Sequence, residues 1–540
     1  MLPARAPRIS TAALVGAACL VVGAAAAPGP GPTAAAPPVA TGFAVTNGGE
    51  PYAGDRQLLA TISPNGDGLR DRAILRFRLS KPATVQLVIR ETRPDTVIAY
   101  TTTEPRRAGR NTFVWAPPAT VEPRTYVVSV TLRDRRGLHR TYGPRHAGDP
   151  VTTPVIRVRG VDAGFLRQSY PPESSARLWV ASDTTGLTIQ FFRVLRQGRI
   201  GPDELSGIPV SDEVPVPWTR WRDGPRLLRV WIGAWPSGVY YVKLVAADGR
   251  VGYAPVIVRP RRLGEHRIAV VMPTNTWQAY NFQDVDGNGF GDTWYAAWNR
   301  HTVRLDRPYQ NQGVPRHFRE YDLPFLTWLA RQDKPVDVLA ETDLESAGTG
   351  DALARLYDAI VFPGHHEYVT EREYDIVERF RDLGGNLAFL SANNFYWKVV
   401  RHGAVIERTA RWRSLGRPEA GLIGVQYLRN DRGQRKGRFL VLSTEEAPWL
   451  FDGTGLVDGS TFGTYGIEID ATAPSSPLGT EVLAEVPDLF GPGLSAQMTY
   501  YETASGAKVF AAGAFTFAGA ALLKPETSLL ANLWGRLTQP

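Results

Sequence analysis

The sequence of 540 residues contains a single cysteine, Cys19. It lies in an apolar run, residues 11–27, which follows Arg5 and Arg8 and ends in small residues before Pro28. This order is typical of a secretory signal peptide, so we predict export and removal of residues 1–27. The mature chain then contains no cysteine, which excludes disulfides, a cysteine nucleophile and a thiolate-bound metal.

Other signatures are missing as well. There is no G-x-S-x-G elbow, no H-E-x-x-H pair and no phosphate-binding glycine loop, so the common serine-hydrolase, zinc-protease and nucleotide-binding sites are not indicated. The alternative, an uncleaved anchor helix, is disfavoured because the apolar run is shorter than the roughly 20 residues that a membrane span needs. We predict no membrane span once the signal is removed. The net charge of +8 comes from scattered arginines with acidic residues between them, and we predict no nucleic-acid partner.

Composition and patterning divide the mature chain into four segments. Residues 28–42 form a Pro/Ala-rich linker. Residues 43–155 and 156–262 contain short alternating strands, such as Ala73–Leu79, and predict two immunoglobulin-like β-sandwiches. Residues 263–540 alternate strands with helices, which predicts a three-layer α/β domain.

The first sandwich opens on the sequence SPNGDGLRD at residues 63–71. This sequence resembles the entry of immunoglobulin-like modules in secreted bacterial proteins and in flagellar hook-capping proteins. The resemblance implies a scaffold module rather than a catalytic one.

Residues 358–397 are the most informative segment. Two short apolar runs in it read as strands, and the helix between them begins with a capping box at Thr370. Tyr368 and Tyr396 each lie in a loop that follows one of the two strands. Because the carboxyl ends of neighbouring parallel strands meet at one edge of an open sheet, we predict that the two tyrosines share one crevice.

Several motifs across residues 235–540 resemble, in order, the carboxy-terminal domain of the N,N-dimethylformamidase large subunit. They are PTNTWQAYN at 273–281, HHEY at 365–368, GGN at 384–386, NFYW at 394–397, GIEID at 466–470, and YYE at 500–502 leading to KVFAAG at 508–513. The resemblance implies a glutamine-amidotransferase-like α/β fold and a mononuclear iron that hydrolyses a small amide. Glutaminase chemistry is excluded because the mature chain lacks the cysteine that it needs.

Carried over motif by motif, the resemblance implies iron ligands at Tyr368, Tyr396 and Glu468. The chain departs from the family pattern at His366 and Val369, beside the first tyrosine, and these departures put the family's substrate in doubt. Phenolate and carboxylate are hard oxygen donors that suit Fe³⁺. From the residue types alone, the alternative is that both tyrosines pack in a core with hydrogen-bonded hydroxyls and hold no metal.

Three residues next to the first predicted ligand, His365, His366 and Glu367, are the candidate catalytic groups. Imidazole and carboxylate side chains orient metal ligands or move protons in such sites. We predict one of these roles for each of them.

A second metal is suggested by acidic and amide side chains at alternate positions: Asp284, Asp286, Asn288 and Asp292. The spacing is that of a calcium loop, but position twelve is Tyr295 rather than glutamate, which excludes a complete EF-hand. The hypothesis is a structural Ca²⁺, and the alternative is a plain glycine-rich turn.

Together these patterns predict a secreted, multidomain protein that uses iron to hydrolyse the C–N bond of a linear amide. Its partner would be a small-molecule amide or a surface polymer, and homo-oligomerisation is left open. The rival prediction is a non-catalytic cell-surface or carbohydrate-binding protein whose amidase-like domain is degenerate.

Overall fold

The computed structural model describes residues 36–92, 96–146, 148–194, 205, 207–296 and 300–538. The predicted signal peptide and most of the predicted linker lie outside these residues. None of the helices in the described ranges is both long and apolar enough to cross a membrane.

The first unit consists of two sheets that share one hydrophobic core. Its strands are β1 (Ala40–Thr46), β2 (Leu59–Ile62), β3 (Ala73–Leu79), β4 (Ala83–Arg90), β5 (Ile98–Arg106), β6 (Gly109–Trp115), β7 (Thr125–Arg133), β8 (His139–Tyr142) and β9 (Val155–Val158). One sheet has the order β1-β3-β6, and the other has the order β2-β9-β7-β4-β5 with β8 on β7. Apolar residues alternate with exposed ones along β3, as a sheet with one buried face requires.

The second unit is again built from two sheets around a core of its own. Its strands are β10 (Asp162–Phe165), β11 (Ser169–Tyr170), β12 (Ser174–Ala181), β13 (Leu187–Val194), β14 (Gly207–Pro209), β15 (Val214–Val216), β16 (Arg226–Ile232), β17 (Gly238–Ala246) and β18 (Val251–Val258). The tight connection between β17 and β18 places Gly249 at a φ of 85°, which glycine adopts without a steric penalty.

The third unit contains a nine-stranded sheet and two smaller ones. Its strands are β19 (Ile268–Met272), β20 (Thr302–Arg304), β21 (Asp337–Ala340), β22 (Ala359–Phe362), β23 (Tyr368–Thr370), β24 (Asn386–Phe389), β25 (Trp397–His402), β26 (Val405–Arg411), β27 (Gln426–Asn430), β28 (Lys436–Val441), β29 (Thr461–Gly466), β30 (Glu468–Ala471), β31 (Glu481–Val486), β32 (Ala496–Glu502) and β33 (Lys508–Ala511). The large sheet has the order β21-β19-β22-β24-β33-β32-β31-β28-β29. Its first five strands are parallel and the remaining pairs are antiparallel.

Helices connect these strands: α1 (Thr274–Ala279), α2 (Gln310–Gly313), α3 (Leu323–Arg331), α4 (Glu341–Ser346), α5 (Gly350–Leu356), α6 (Glu371–Asp382), α7 (Ala420–Ile423), α8 (Pro448–Phe451) and α9 (Glu526–Thr538). A π-helical turn, Phe318–Asp322, leads directly into α3. Three 3₁₀ turns complete the described set: Thr219–Trp221, Trp412–Leu415 and Ala518–Ala520.

The parallel strands are buried on both faces. Val270 and Val361 pack in one hydrophobic cluster with residues of α3 and α9. Val271 and Phe362, which point to the opposite face, pack in another cluster with residues of α4, α5 and α6. The near-continuous apolar runs of β19 and β22 follow from this two-sided burial.

The helix predicted between the two tyrosine loops forms as expected. It begins where the Thr370 hydroxyl accepts a hydrogen bond from the Glu373 backbone N–H at 3.1 Å, and its buried face includes Val377 and Phe380. It ends before Gly384, whose φ is 95°. Cap, apolar face and glycine therefore act together to define α6.

The β-rich, multidomain part of the predicted fold class is confirmed. The immunoglobulin-like type of the first two units is not confirmed, and the specific likeness of the third to glutamine amidotransferases is not supported. Strand pairing also places Ala40 and Val158 in the first unit, beyond its predicted limits of 43 and 155. The reason is that β9 pairs with β2 and β7 before the chain turns into the second unit.

A matched pair of leucines tests the core of the third unit. Leu387 lies in β24 and is 0% exposed, whereas Leu383 at the end of α6 is 40% exposed. We expect Leu387→Ala to lower the free energy of unfolding by about 3 kcal/mol because it leaves a cavity. Leu383→Ala should change it by less than about 0.5 kcal/mol. Urea unfolding followed by near-ultraviolet circular dichroism checks this, and equal effects would contradict the placement of β24.

Candidate functional site

The candidate site lies at the carboxyl edge of the parallel strands. The segments that follow β19, β22, β24 and β33 all contribute to a cavity of about 550 Å³. Gly364, two residues after β22, allows a close approach here, because a Cβ there would lie 2.7 Å from Cγ of Pro273, which follows β19, and 2.6 Å from a carboxylate oxygen of Asp322. The cavity thus occupies the position where open α/β sheets bind ligands.

The two predicted tyrosine loops lie side by side. Tyr368 begins β23, which pairs in parallel with β25 so that Tyr368 is opposite Trp397. The Trp397 backbone N–H donates to the Glu367 carbonyl at 2.8 Å. Tyr396 therefore directly precedes the residue that pairs with Tyr368, so the two loops are neighbours, but neither tyrosine is among the residues that line the cavity.

The Tyr368 side chain belongs to a buried network of hydroxyls. Its hydroxyl contacts that of Tyr295 and accepts a hydrogen bond from Trp294 Nε1 at 3.3 Å. Tyr295 also donates to Glu367 Oε2 at 3.1 Å, and Tyr280 donates to the same oxygen at 2.8 Å. One carboxylate oxygen thus accepts from two tyrosines that line the cavity.

Tyr396 lies close to this network but is not part of the cavity wall. Its ring packs against Tyr427, with 5.0 Å between centroids, and the Arg413 guanidinium lies 5.1 Å from its centre. Burial raises the pKa of its hydroxyl, and the charge of Glu367 adds to that rise. Among the residues that the structure describes, none makes a hydrogen bond with this hydroxyl.

Glu468 and His365 face the cavity together. His365 Nε2 lies 3.3 Å from Glu468 Oε2 and 3.6 Å from Glu367 Oε2. Asn430 Nδ2 donates to the other oxygen of Glu468 at 2.6 Å and so orients the carboxylate. His365 Nε2 and Glu468 Oε2 are both buried without a hydrogen-bond partner of good geometry in the described chain, which is a costly arrangement unless a ligand satisfies them.

Burial opposes charge on all three of these groups. It lowers the pKa of His365 to about 3. It raises the pKa of Glu367 and that of Glu468, and for Glu468 the charge of Glu367 adds to the effect. A bound cation would lower the pKa of both carboxylates, because it stabilises their ionised forms.

The backbone is strained where it delivers the predicted ligands. Phe395 has a φ of 56° and Ile467 has a φ of 72°, and each directly precedes a predicted iron ligand. A positive φ is unusual for a bulky residue and exceptional for a β-branched one. Asn393, at a φ of 55°, is held by its N–H, which donates to both oxygens of Asp470 at 2.8 and 2.9 Å. Strain of this kind persists where the surrounding structure imposes it, often at functional sites.

The other predicted catalytic histidine lies elsewhere. The ring nitrogens of His366 are each 3.0 Å from a backbone carbonyl oxygen, one of Gly364 and one of Val271. The side chain is fully buried and is not among the residues that line the cavity. Its position is suited to holding the loop after β22 rather than to moving protons in the cavity.

Tyr280 and Tyr295 were missed as site residues from the sequence. Tyr280 is part of the PTNTWQAYN motif, and Tyr295 was considered only as position twelve of the calcium-type loop. The signal that could have identified them is the clustering of aromatic residues between β19 and β20. That signal is weak without the contacts to Glu367.

A sequence model of N,N-dimethylformamidase beta subunit-like C-terminal domains matches residues 229–527. The match spans more than half of the chain and contains every predicted site residue. The protein belongs to this family.

No curated protein matches the sequence of this N,N-dimethylformamidase beta subunit-like chain. Among solved structures, Escherichia coli alpha-2-macroglobulin activated by porcine elastase matches with 14% identity and a TM-score of 0.17. The match covers 41% of this chain and 20% of that one. At this TM-score it carries no inference about fold or function.

The calcium-type loop of this family member brings its three aspartates together. Carboxylate oxygens of Asp284, Asp286 and Asp292 all lie within 4.8 Å of one another. Asn288 lies beside them, with its Nδ2 donating to Asp286 Oδ2 at 3.1 Å and its Oδ1 accepting from the Phe290 backbone N–H at 2.8 Å. Arg300 supplies a cation at the same place, with Nη1 2.7 Å from Asp292 Oδ1 and Nη2 3.1 Å from Asp286 Oδ2.

The buried Asp322 predicts a pH dependence of stability. Burial raises its pKa from 3.8 to about 7, opposed by the hydrogen bond that Trp277 Nε1 donates. The contribution of Asp322 to stability is complete below pH 3.8 and is lost as the pH rises through about 7. The free energy of unfolding of the uncharged variant Asp322→Asn should therefore rise relative to that of the natural protein by up to about 1.4 kcal/mol per pH unit over that range.

Urea unfolding of both proteins at about pH 4 and about pH 8 measures this difference. Asp452→Asn, at an exposed aspartate, controls for the change in net charge. A difference between Asp322→Asn and the natural protein that stays constant with pH would show that Asp322 is not buried as described.

Proposed function

We propose that this protein hydrolyses the C–N bond of an amide with the help of a metal ion, iron, held by Tyr368, Tyr396 and Glu468. The observation that carries the proposal is the pair His365 and Glu468, which line a cavity in a domain of an amidase-related family and whose Nε2 and Oε2 atoms are buried without a hydrogen-bond partner in the described chain. Glu367 lies beside them, with its Oε2 3.6 Å from His365 Nε2. Export from the cell and a glutamine-amidotransferase-like fold type belong to the same proposal.

The donor chemistry fits iron. Tyrosine and glutamate oxygens are hard donors, and Glu468 Oε2 is buried without a hydrogen-bond partner among the described residues, as an atom that awaits a cation would be. Tyr368 and Tyr396 follow adjacent strands, and the carboxylate of Glu367 influences the pKa of both hydroxyls. When bound, the ion would supply Lewis-acid chemistry toward the amide carbonyl.

The protein's own groups would manage the protons. Burial lowers the pKa of His365 to about 3, so its imidazole is neutral near pH 7 and is by itself a weak base. An ionised Glu468 carboxylate, with Oε2 3.3 Å from Nε2, would stabilise the imidazolium and so allow Nε2 to accept a proton. That nitrogen lines the cavity, so it would take the proton from the attacking water and pass it to the departing amine nitrogen. Tyr280 and Tyr295 hold Glu367 in place, and Asn430 does the same for Glu468.

The metal proposal predicts the behaviour of single tyrosine variants. We expect the purified protein to contain close to one iron per chain and to show a phenolate-to-iron charge-transfer band in the visible spectrum. Tyr396→Phe should lose both while staying folded, because its hydroxyl makes no hydrogen bond within the described chain. Elemental analysis and absorption spectroscopy measure the two quantities.

The matched control is Tyr321→Phe, at a tyrosine that also lines the cavity but is not a proposed ligand, and it should keep the iron and the band. Retention of iron by Tyr396→Phe together with its loss in Tyr295→Phe would transfer the ligand role to Tyr295. A metal-free, colourless natural protein would overturn the proposal and favour the non-catalytic binding protein.

We also propose that the loop from Asp284 to Asp292 binds a structural Ca²⁺. Asp292 is 8% exposed and its Oδ1 has no hydrogen bond in the described chain, although Arg300 lies beside it. The loop packs on the first β unit, where Arg56 Nη2 donates to the carbonyls of Asp286 and Gly287 at 3.1 and 3.0 Å. A bound ion would therefore stabilise the contact between two units.

Calcium should raise the thermal midpoint. An excess of about 100-fold over the dissociation constant stabilises a folded protein by about 2.7 kcal/mol. We expect the rise to be reversed by a chelator and to be absent in Asp284→Asn, with Mg²⁺ at the same ionic strength as the control. Differential scanning calorimetry measures it, and identical midpoints with calcium and with chelator would refute the site.

A further inference from the structure

The cavity at the candidate site is larger than a small amide needs. Its volume is about 550 Å³, within the range of roughly 300–1,000 Å³ that is typical of sites for much larger ligands. A water molecule occupies only about 30 Å³ of liquid, so an amide of a few heavy atoms would leave most of this space unfilled.

A second cavity of about 380 Å³ adjoins the first. Tyr280, Phe282, Arg316 and His317 line both of them and so form the wall between the two. The first β unit provides part of the far side of the second cavity, including Val97. The combined space is therefore elongated and reaches from the carboxyl edge of the parallel sheet to the first β unit.

Arginines without a carboxylate partner line this space. In the part of the chain that the structure describes, neither Arg316 nor Arg319 nor Arg432 makes an ion pair. Arg316 Nε donates to His317 Nε2 at 3.1 Å, which does not neutralise its charge. Arg319 Nε is buried and makes no hydrogen bond with any residue that the structure describes. Arg316 and Arg319 are half-buried and Arg432 is exposed, so the missing partner carries a cost only at the buried Arg319 Nε. A bound anion would form charge-assisted hydrogen bonds with these side chains.

Five acidic residues line this space: Glu91, Glu122, Glu320, Asp322 and Glu468. Two of them already have an arginine partner. Glu91 and Glu122 are held by Arg124 at 2.7 and 3.7 Å. Glu468 lies at the other end of the space, beside His365. Glu320 lines the second cavity, follows Arg319 directly in the chain and makes no ion pair among the described residues.

The remaining wall is aromatic. Trp277, Tyr280, Tyr321 and Phe515 line the first cavity. Tyr321 and Phe515 meet edge to face with 4.9 Å between their centroids, and Phe515 also contacts His365 at 4.7 Å. An apolar or aromatic group placed here would lie next to the predicted proton-transferring histidine.

We propose that the substrate is an amide with an aromatic or apolar body and a separate anionic group, and that Arg316 binds this anion at the junction of the two cavities. N-acylated aromatic amino acids have this chemistry. The amide part of the inference rests on the proposed function, whereas the recognition of an anion with an aromatic body does not.

A pair of ligands without an amide bond tests the recognition alone. Hydrocinnamate carries an aromatic ring and a carboxylate, and hydrocinnamyl alcohol has the same skeleton without the charge. Calorimetric titration of the full chain should show hydrocinnamate binding at least about tenfold more tightly, since a hydrogen bond to a charged group contributes about 1.5–3 kcal/mol. Arg316→Gln should abolish the preference, and the charge-preserving Arg316→Lys should retain part of it.

Arg229→Gln, at an exposed arginine of the second unit, is the matched control and should leave the preference unchanged. Equal affinity for the two ligands, or a preference that survives Arg316→Gln, would overturn the inference; the second result would mean that the carboxylate binds elsewhere, such as at a metal. Hydrolysis of N-acetylphenylalanine and of acetamide is measured separately. A preference for the anion without hydrolysis of either amide would refute the proposed function and leave the anion site standing.

Discussion

The parallel pairing of β22 with β24 is the constraint on which the candidate site depends. The ladder aligns Ala359 with Asn386 and Phe362 with Phe389. The two strands therefore end opposite each other at the same edge of the sheet. The following segments pair again as β23 and β25. Because the backbone hydrogen bonds of two successive ladders set their separation, the loops with Tyr368 and Tyr396 have little freedom to move apart.

Electrostatics explains why so many tyrosines surround this edge. Glu367 and Glu468 are buried close to each other, and burial raises the pKa of both. The hydroxyls of Tyr280 and Tyr295 stabilise the ionised form of Glu367 without adding charge. These tyrosines therefore serve two purposes. Their hydroxyls stabilise buried carboxylates, which an apolar core without hydrogen-bond donors could not do, and their rings present aromatic surface to a ligand.

How far the sequence predicts the site differs from residue to residue. Strand, cap and glycine signals around α6 are local, and they correctly brought the Tyr368 and Tyr396 loops together. The residues that contact Glu367 but lie far from it in the sequence were not predicted; Tyr280, for example, precedes it by 87 positions. His366 resembles a catalytic residue in the sequence, yet both of its ring nitrogens face backbone carbonyls. Neither fact has a local signature, since each depends on which segments the sheet places next to one another.

The amino-acid sequence is enough to predict the β-rich multidomain layout, the βαβ unit around α6 and membership of the N,N-dimethylformamidase beta subunit-like family. These follow from apolar periodicity and from short motifs, which act over a few residues. Three features are visible only in the folded protein: His365 lies between Glu367 and Glu468, Tyr396 packs against Arg413, and the first β unit lines part of the second cavity. Side-chain direction and contacts between units depend on long-range packing, which no local pattern encodes.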